Sequence, residues 1–229
     1  MVITKIKILL CKFKYRFKRY KTSNISWSAF LAPKVQILGI DNISIGRNCT
    51  IGESTLFTIN NRKNKDAQLI IGNNSYIGRD NFFSVGKLIT VGEYCIFGNK
   101  CSFICSDHKF QDPLIPYAKS GNSFEKVIQI GVNCWLGHDV GIIGNIRIGH
   151  GSIIGAKALI TKDIPPFSMV VGNPSKIIKR YNFEKGEWVR GNEIIESIFL
   201  DEQVYLQFLR SSGDLPIAYH ASSSYSGDL

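Results

Sequence analysis

Histidine is scarce here, at four in 229 residues, and methionine scarcer, at two. No stretch approaches the roughly 18 consecutive apolar residues of a membrane span. No Cys-x-x-Cys pair occurs, and the spacing of the six cysteines matches no zinc signature. The glycines form neither a dinucleotide-binding nor a P-loop pattern. Residues 1–21 contain no acidic residue but eight Lys/Arg, which leaves only +2 of the net charge of +10 for the remainder. A nucleic-acid-binding chain carries its basic residues across a folded surface. Here the excess positive charge sits at one end and the rest is nearly neutral, which argues against nucleic acid as a partner. Free thiols and the lack of a cleavable signal point to the cytoplasm.

What is present is a six-residue period. From Ile130 to Pro165 the chain runs IGVNCW, LGHDVG, IIGNIR, IGHGSI, IGAKAL, ITKDIP. An aliphatic residue opens each hexad, Gly usually follows, and the fifth position is mostly small or β-branched. Neither a 3.6-residue nor a two-residue period fits. The pattern predicts short β-rungs with tight bends between them, the aliphatic residue pointing inward. Cys49, Cys95, Cys101 and Cys134 all occupy the fifth position, where a thiol serves as a small hydrophobe.

Three hexads make a coil of 18 residues. Coil starts fall at 45, 71, 91, 130 and 148, so successive coils carry excursions of 8, 2, 21 and 0 residues. The 21-residue excursion, 109–129, is the one large break in an otherwise regular solenoid. Long loops inside compact repeats are usually functional. The repeat domain spans 25–171 and is followed by an extension over 172–210. Within the extension, Asn192–Arg210 reads as a helix, and residues 211–229 read as disordered tail. Residues 1–24 read as a basic amphipathic helix, which would put Ile6, Leu9, Leu10, Phe13 and Phe17 on one face. That helix can pack on the body or on a neighbouring subunit, or lie on anionic lipid at the inner face of the plasma membrane.

The hexads, SDHKFQDPLIP at 106–116 and VVGNPSKIIK at 170–179 together resemble the hexapeptide-repeat acyltransferases. The likeness is greatest to the O-acetyltransferases of capsule and lipopolysaccharide synthesis and to the maltose and galactoside acetyltransferases. It implies an all-β fold, the left-handed parallel β-helix, assembled as a homotrimer. It also implies acetyl-CoA as co-substrate, a sugar hydroxyl of a surface polysaccharide or its precursor as acceptor, and no metal. Acetylation of a free sugar, a nucleotide-linked amino sugar or a streptogramin-type drug is the second reading. A non-catalytic scaffold is the third. The related zinc-dependent γ-class carbonic anhydrases need a His pair five residues apart, which this chain lacks.

Acetyl transfer needs a base for the acceptor proton, alignment of both reactants, and donors for the developing oxyanion. The resemblance makes His108 that base. His138 and His150 fall at the third hexad position, expected to face solvent. Asp107 is adjacent, and strand alternation would point it to the opposite face from His108. The second His of many relatives is Phe110 here. By resemblance, coenzyme A lies in a groove between subunits, against Trp135, Gly137, Gly155 and Ala156. Lys162, Lys176, Lys179 and Arg180 would meet its phosphates. Asp80 and Asn81 are candidate acceptor contacts.

Overall fold

The computed structural model describes residues 24–65, 68–191 and 196–212. Most of the amphipathic segment 1–24 and most of the tail 211–229 lie outside them. Three parallel sheets are visited in fixed rotation as the chain advances. The first contains Ile43–Ile45, Gln68–Ile71, Leu88–Val91, Val127–Ile130 and Ile146–Ile148. The second begins at Phe30–Leu31 and runs through Thr50–Ile51, Tyr76–Ile77, Ile96–Phe97, Trp135–Leu136 and Ile153–Ile154 to Ser168–Val171. The third stacks Gln36–Leu38, Leu56–Ile59, Phe82–Val85, Ser102–Ile104, Gly141–Ile143 and Leu159–Ile160.

The coil starts read from the hexads are register partners. Ile45 pairs with Ile71, Ile71 with Val91, Val91 with Ile130, and Ile130 with Ile148. Isolated bridges extend this column to Ile25 and Ile164. The inward aliphatic and aromatic side chains form one buried core, in which Phe83 and Phe103 stack at 4.3 Å and Phe97 and Phe103 at 5.1 Å.

Each hexad position has a physical job. The fourth position carries the bend: Asn48, Ser54, Asn74, Asp80, Tyr94, Lys100, Asn133, Asp139 and Lys157 all have positive φ. Asn and Asp tolerate that conformation best, which accounts for their frequency there. The fifth position points inward and donates to the next coil. Cys49 Sγ reaches Gly72 O at 3.0 Å, Thr55 Oγ1 reaches Gly78 O at 3.1 Å, and Ser75 Oγ reaches Gly92 O at 3.0 Å. Cys95 and Cys101 repeat the contact at 3.2 Å to Gly131 O and Gly137 O. These cysteines are therefore weak hydrogen-bond donors as well as small hydrophobes. At the corners that follow the first and second sheets the second position is glycine because coils touch there: a Cβ on Gly137 would lie 2.6 Å from Ala156 N.

Two boundaries differ from the hexad count. Ile130 keeps its place as a coil start, but Val127–Ile130 is already paired with Leu88–Val91, so the excursion ends at Lys126 rather than at residue 129. Beyond Val171 the extension is not helical alone. Lys176–Asn182 and Glu187–Arg190 continue the second sheet antiparallel, and among the described residues the α-helix of the extension is Glu202–Ser211. Asp201 caps that helix, its Oδ1 accepting from Gln203 N and Val204 N. Glu202 then accepts from Val132 N at 2.7 Å, and Arg210 pairs with Glu93, docking the helix across two coils.

Candidate active site

The large excursion leaves from the corner between the third and first sheets. Asp107–His108 pairs antiparallel with Asn122–Ser123, and Lys109 N donates to Gly121 O at 2.9 Å, closing the base of the loop. His108 is exposed and Asp107 half-buried. The Lys126 ammonium forms an ion pair with the Asp107 carboxylate. Asp107 precedes the loop and Lys126 follows it, so the pair ties both ends together. Lys126 O also accepts from Lys87 N at 3.2 Å, which fixes this junction to the preceding coil. No hexad feature singles out Lys126. Its partnership follows from loop closure, which a linear pattern does not encode.

A second group meets at this corner. Asn60 Nδ2 donates to Ser84 Oγ at 2.9 Å and to Ser106 Oγ at 2.7 Å, and the two serine oxygens lie 2.7 Å apart. Thr58 Oγ1 donates to Asn60 Oδ1 at 3.0 Å. Three successive coils therefore contribute to one polar chain that ends at Ser106, beside Asp107. Ser84 stacks on Thr58 and Ile104 in the ladder, one row away from Asn60, so the hexad count does not align the members of this chain.

The other candidates are spread around the coil. Asn81 is buried, and its amide is fully used: Nδ2 donates to Gly78 O at 2.7 Å and Gly98 O at 3.1 Å, while Oδ1 accepts from Cys101 N at 2.8 Å. It is a fifth-position structural residue, and that corrects its assignment to an acceptor. Asp80 bends the chain at the corner between the second and third sheets, away from His108. Gly137, Gly155 and Ala156 occupy that same corner, and Trp135 stands 55% exposed on the second sheet. Lys162 is exposed at the corner His108 uses, two coils further on. Lys176 is exposed and Lys179 half-buried on the antiparallel extension. Arg180 is 8% exposed and donates to Pro166 O at 3.0 Å. A guanidinium so enclosed does not reach a phosphate outside, which corrects that expectation. His150 is buried too, against the expected solvent-facing position. The C-terminal segment covers it, and its Nε2 donates to Phe199 O at 2.7 Å.

Burial pushes the thiols of Cys49 and Cys101 up to about 11, so they are poor nucleophiles. Among the described residues, no group of three or more His, Cys, Asp or Glu is arranged to hold a metal ion. No described helix is long and apolar enough to cross a membrane.

Comparison with known proteins adds to this geometry. No protein-family model matches the chain. A Staphylococcus aureus protein named as an acetyltransferase is 36% identical over 116 residues, 50% of this chain and 56% of its own. A Mycobacterium tuberculosis protein of similar naming is 28% identical over 173 residues, covering 72% of this chain and 55% of its own. The chloramphenicol acetyltransferase of Klebsiella aerogenes is 33% identical over 116 residues, 42% and 52% of the two chains. The chain thus spans about half the length of the curated relatives it matches. Among solved structures, an N-acyltransferase from Bacillus cereus, complexed with dTDP-4-amino-4,6-dideoxyglucose and coenzyme A, has a TM-score of 0.63 at 17% identity over 86% of this chain and 96% of its own. The hexapeptide-repeat acetyltransferase of Vibrio cholerae, complexed with acetyl coenzyme A, has a TM-score of 0.52 at 23% identity over 59% and 69%. In fold the chain is similar to the hexapeptide-repeat acetyltransferases, and in sequence it is similar to proteins named as acetyltransferases.

Proposed function

We propose that the chain is an acetyl-CoA-dependent O-acetyltransferase with His108 as general base. The observation that carries this reading is an exposed imidazole at the base of the one large loop, in a coil shared with acetyltransferases. His108 removes the proton of the acceptor hydroxyl as its oxygen attacks the thioester carbon. The tetrahedral intermediate then collapses, the C–S bond breaks, and the imidazolium returns the proton to the departing thiolate. Trp135 offers an exposed face to the pantetheine arm or adenine, and Lys162 and Lys176 offer cations to the phosphates.

His108 and the Gly137–Ala156 corner lie at different corners of one chain. A groove with both on its walls calls for a second copy. The homotrimer of left-handed β-helices implied by the resemblance would supply one. The proposed acceptor is a sugar hydroxyl of a surface polysaccharide or its lipid-linked precursor, with the basic segment 1–24 at the membrane surface. A second reading is transfer to the amine of a nucleotide-linked amino sugar. It draws on the extent of fold shared with the Bacillus cereus N-acyltransferase. Mass spectrometry of the host's surface glycan, with and without the protein, separates the two. Loss of an O-acetyl group supports the first reading, and an unchanged glycan together with an N-acetylated nucleotide sugar supports the second.

A further inference from the structure

We infer that Ser106 is a further catalytic residue, the side-chain donor to the acyl oxygen, and that Asn60 and Ser84 are its positioning residues. The inference rests on the acetyl-transfer reading and adds to it the group that meets the negative charge formed during transfer.

The argument is a count of protons. Both Nδ2 hydrogens of Asn60 are used, one on each serine oxygen. The two hydroxyls have two protons between them, and their mutual contact at 2.7 Å consumes one. The other must point elsewhere. Ser84 is 8% exposed, whereas Ser106 is only partly buried. The arrangement that leaves the free proton useful has Ser84 donating to Ser106. Ser106 Oγ then accepts from Asn60 and from Ser84, and its own O–H is directed outward. Two accepted bonds polarise that hydroxyl and make it a stronger donor.

Chain geometry gives the donor its relation to the base. Ser106 stands two residues before His108, at the junction between Ser102–Ile104 and Asp107–His108, so the two α-carbons are at most about 7 Å apart. The Asp107 carboxylate between them is engaged by Lys126. That span accommodates an attacking oxygen at the imidazole and the acyl oxygen at the Ser106 hydroxyl. The donor is preorganised before charge develops, the condition under which such a group contributes most. No proton leaves Ser106; it only donates a hydrogen bond.

The test is steady-state release of CoA thiol from acetyl-CoA, with water as acceptor, in the full-length protein. Ser106→Ala is expected to lower kcat by about 10²-fold and to leave the KM for acetyl-CoA within about twofold. Ser106→Thr, which keeps the hydroxyl, is expected to retain most activity. Asn60→Asp presents a carboxylate that captures the serine protons, so it should lose activity like Ser106→Ala, and combining the two should add little. Wild-type kcat in Ser106→Ala or in Asn60→Asp, with His108→Ala inactive, would overturn the inference and leave the acetyl-transfer reading standing. Equal rates in wild type and His108→Ala would overturn both. Should Ser106→Ala fail to fold, Ser106→Thr and Asn60→Asp decide the matter.

Discussion

Lys126 and Asp107 form an ion pair across the mouth of the loop, joining the last rung before the repeat breaks to the first rung after it. Both side chains are about one-third exposed, so the pair contributes modestly to stability, up to about 1 kcal/mol. Lys126→Met should lower the melting temperature by a few degrees at most. It should also speed proteolytic cleavage within 109–121. Lys126→Arg should restore protection. Equal cleavage rates in wild type and Lys126→Met would show that the pair does not hold the loop.

The stacked phenylalanines set the stability of the coil. Phe103 contacts Phe83 and Phe97 and is fully buried. Phe103→Ala should cost about 3–5 kcal/mol, read as a lower urea midpoint at unchanged m-value. A loss under about 1 kcal/mol would mean that the neighbouring coils collapse into the space.

Gly137 separates packing from ligand contact. Its Cβ would strike the backbone of Ala156, so Gly137→Ala should destabilise the fold whether or not CoA binds there. Trp135→Ala, on an exposed side chain, should leave the melting temperature nearly unchanged and raise the KM for acetyl-CoA. If Trp135→Ala lowers stability and leaves KM unchanged, Trp135 is a packing residue.

Burial of Cys49 and Cys101 raises their thiols from 9.0 to about 11. The unfolded chain ionises these groups first, so between pH 9 and 11 it binds fewer protons than the folded chain. Their contribution is therefore complete below pH 9 and declines as pH rises toward 11. Urea midpoints measured across that range should fall, and Cys49→Ala/Cys101→Ala should fall less steeply. Parallel curves for the two proteins would refute the linkage.

Much of the coil was legible because the hexad is a physical repeat, with one position for the bend and one for the interior. The starts at 45, 71, 91, 130 and 148 became register partners for that reason. Asn81 misled because a polar residue near a bend looks available, whereas the fifth position turns it inward to bond the next coil. His150 misled because its exposure depends on the C-terminal segment, which folds back over a coil distant in sequence, and Arg180 because its guanidinium turns in to bond Pro166 O. Lys126, Asn60 and Ser84 were invisible for the same reason as His150. Their partners lie 19 to 46 residues away, at separations fixed by irregular excursions. The proposed base, His108, is singled out by the motif around it and not by any periodic signal.

The most direct test is the release of CoA thiol from acetyl-CoA by wild type and by His108→Ala, matched by circular dichroism and melting temperature. His108 is exposed, so its removal should not disturb the fold. The expected result is a kcat lowered by about 10²–10⁴-fold in His108→Ala with the KM for acetyl-CoA little changed. Equal kcat in the two proteins would contradict His108 as the general base and, with it, the assignment of this corner as the active site.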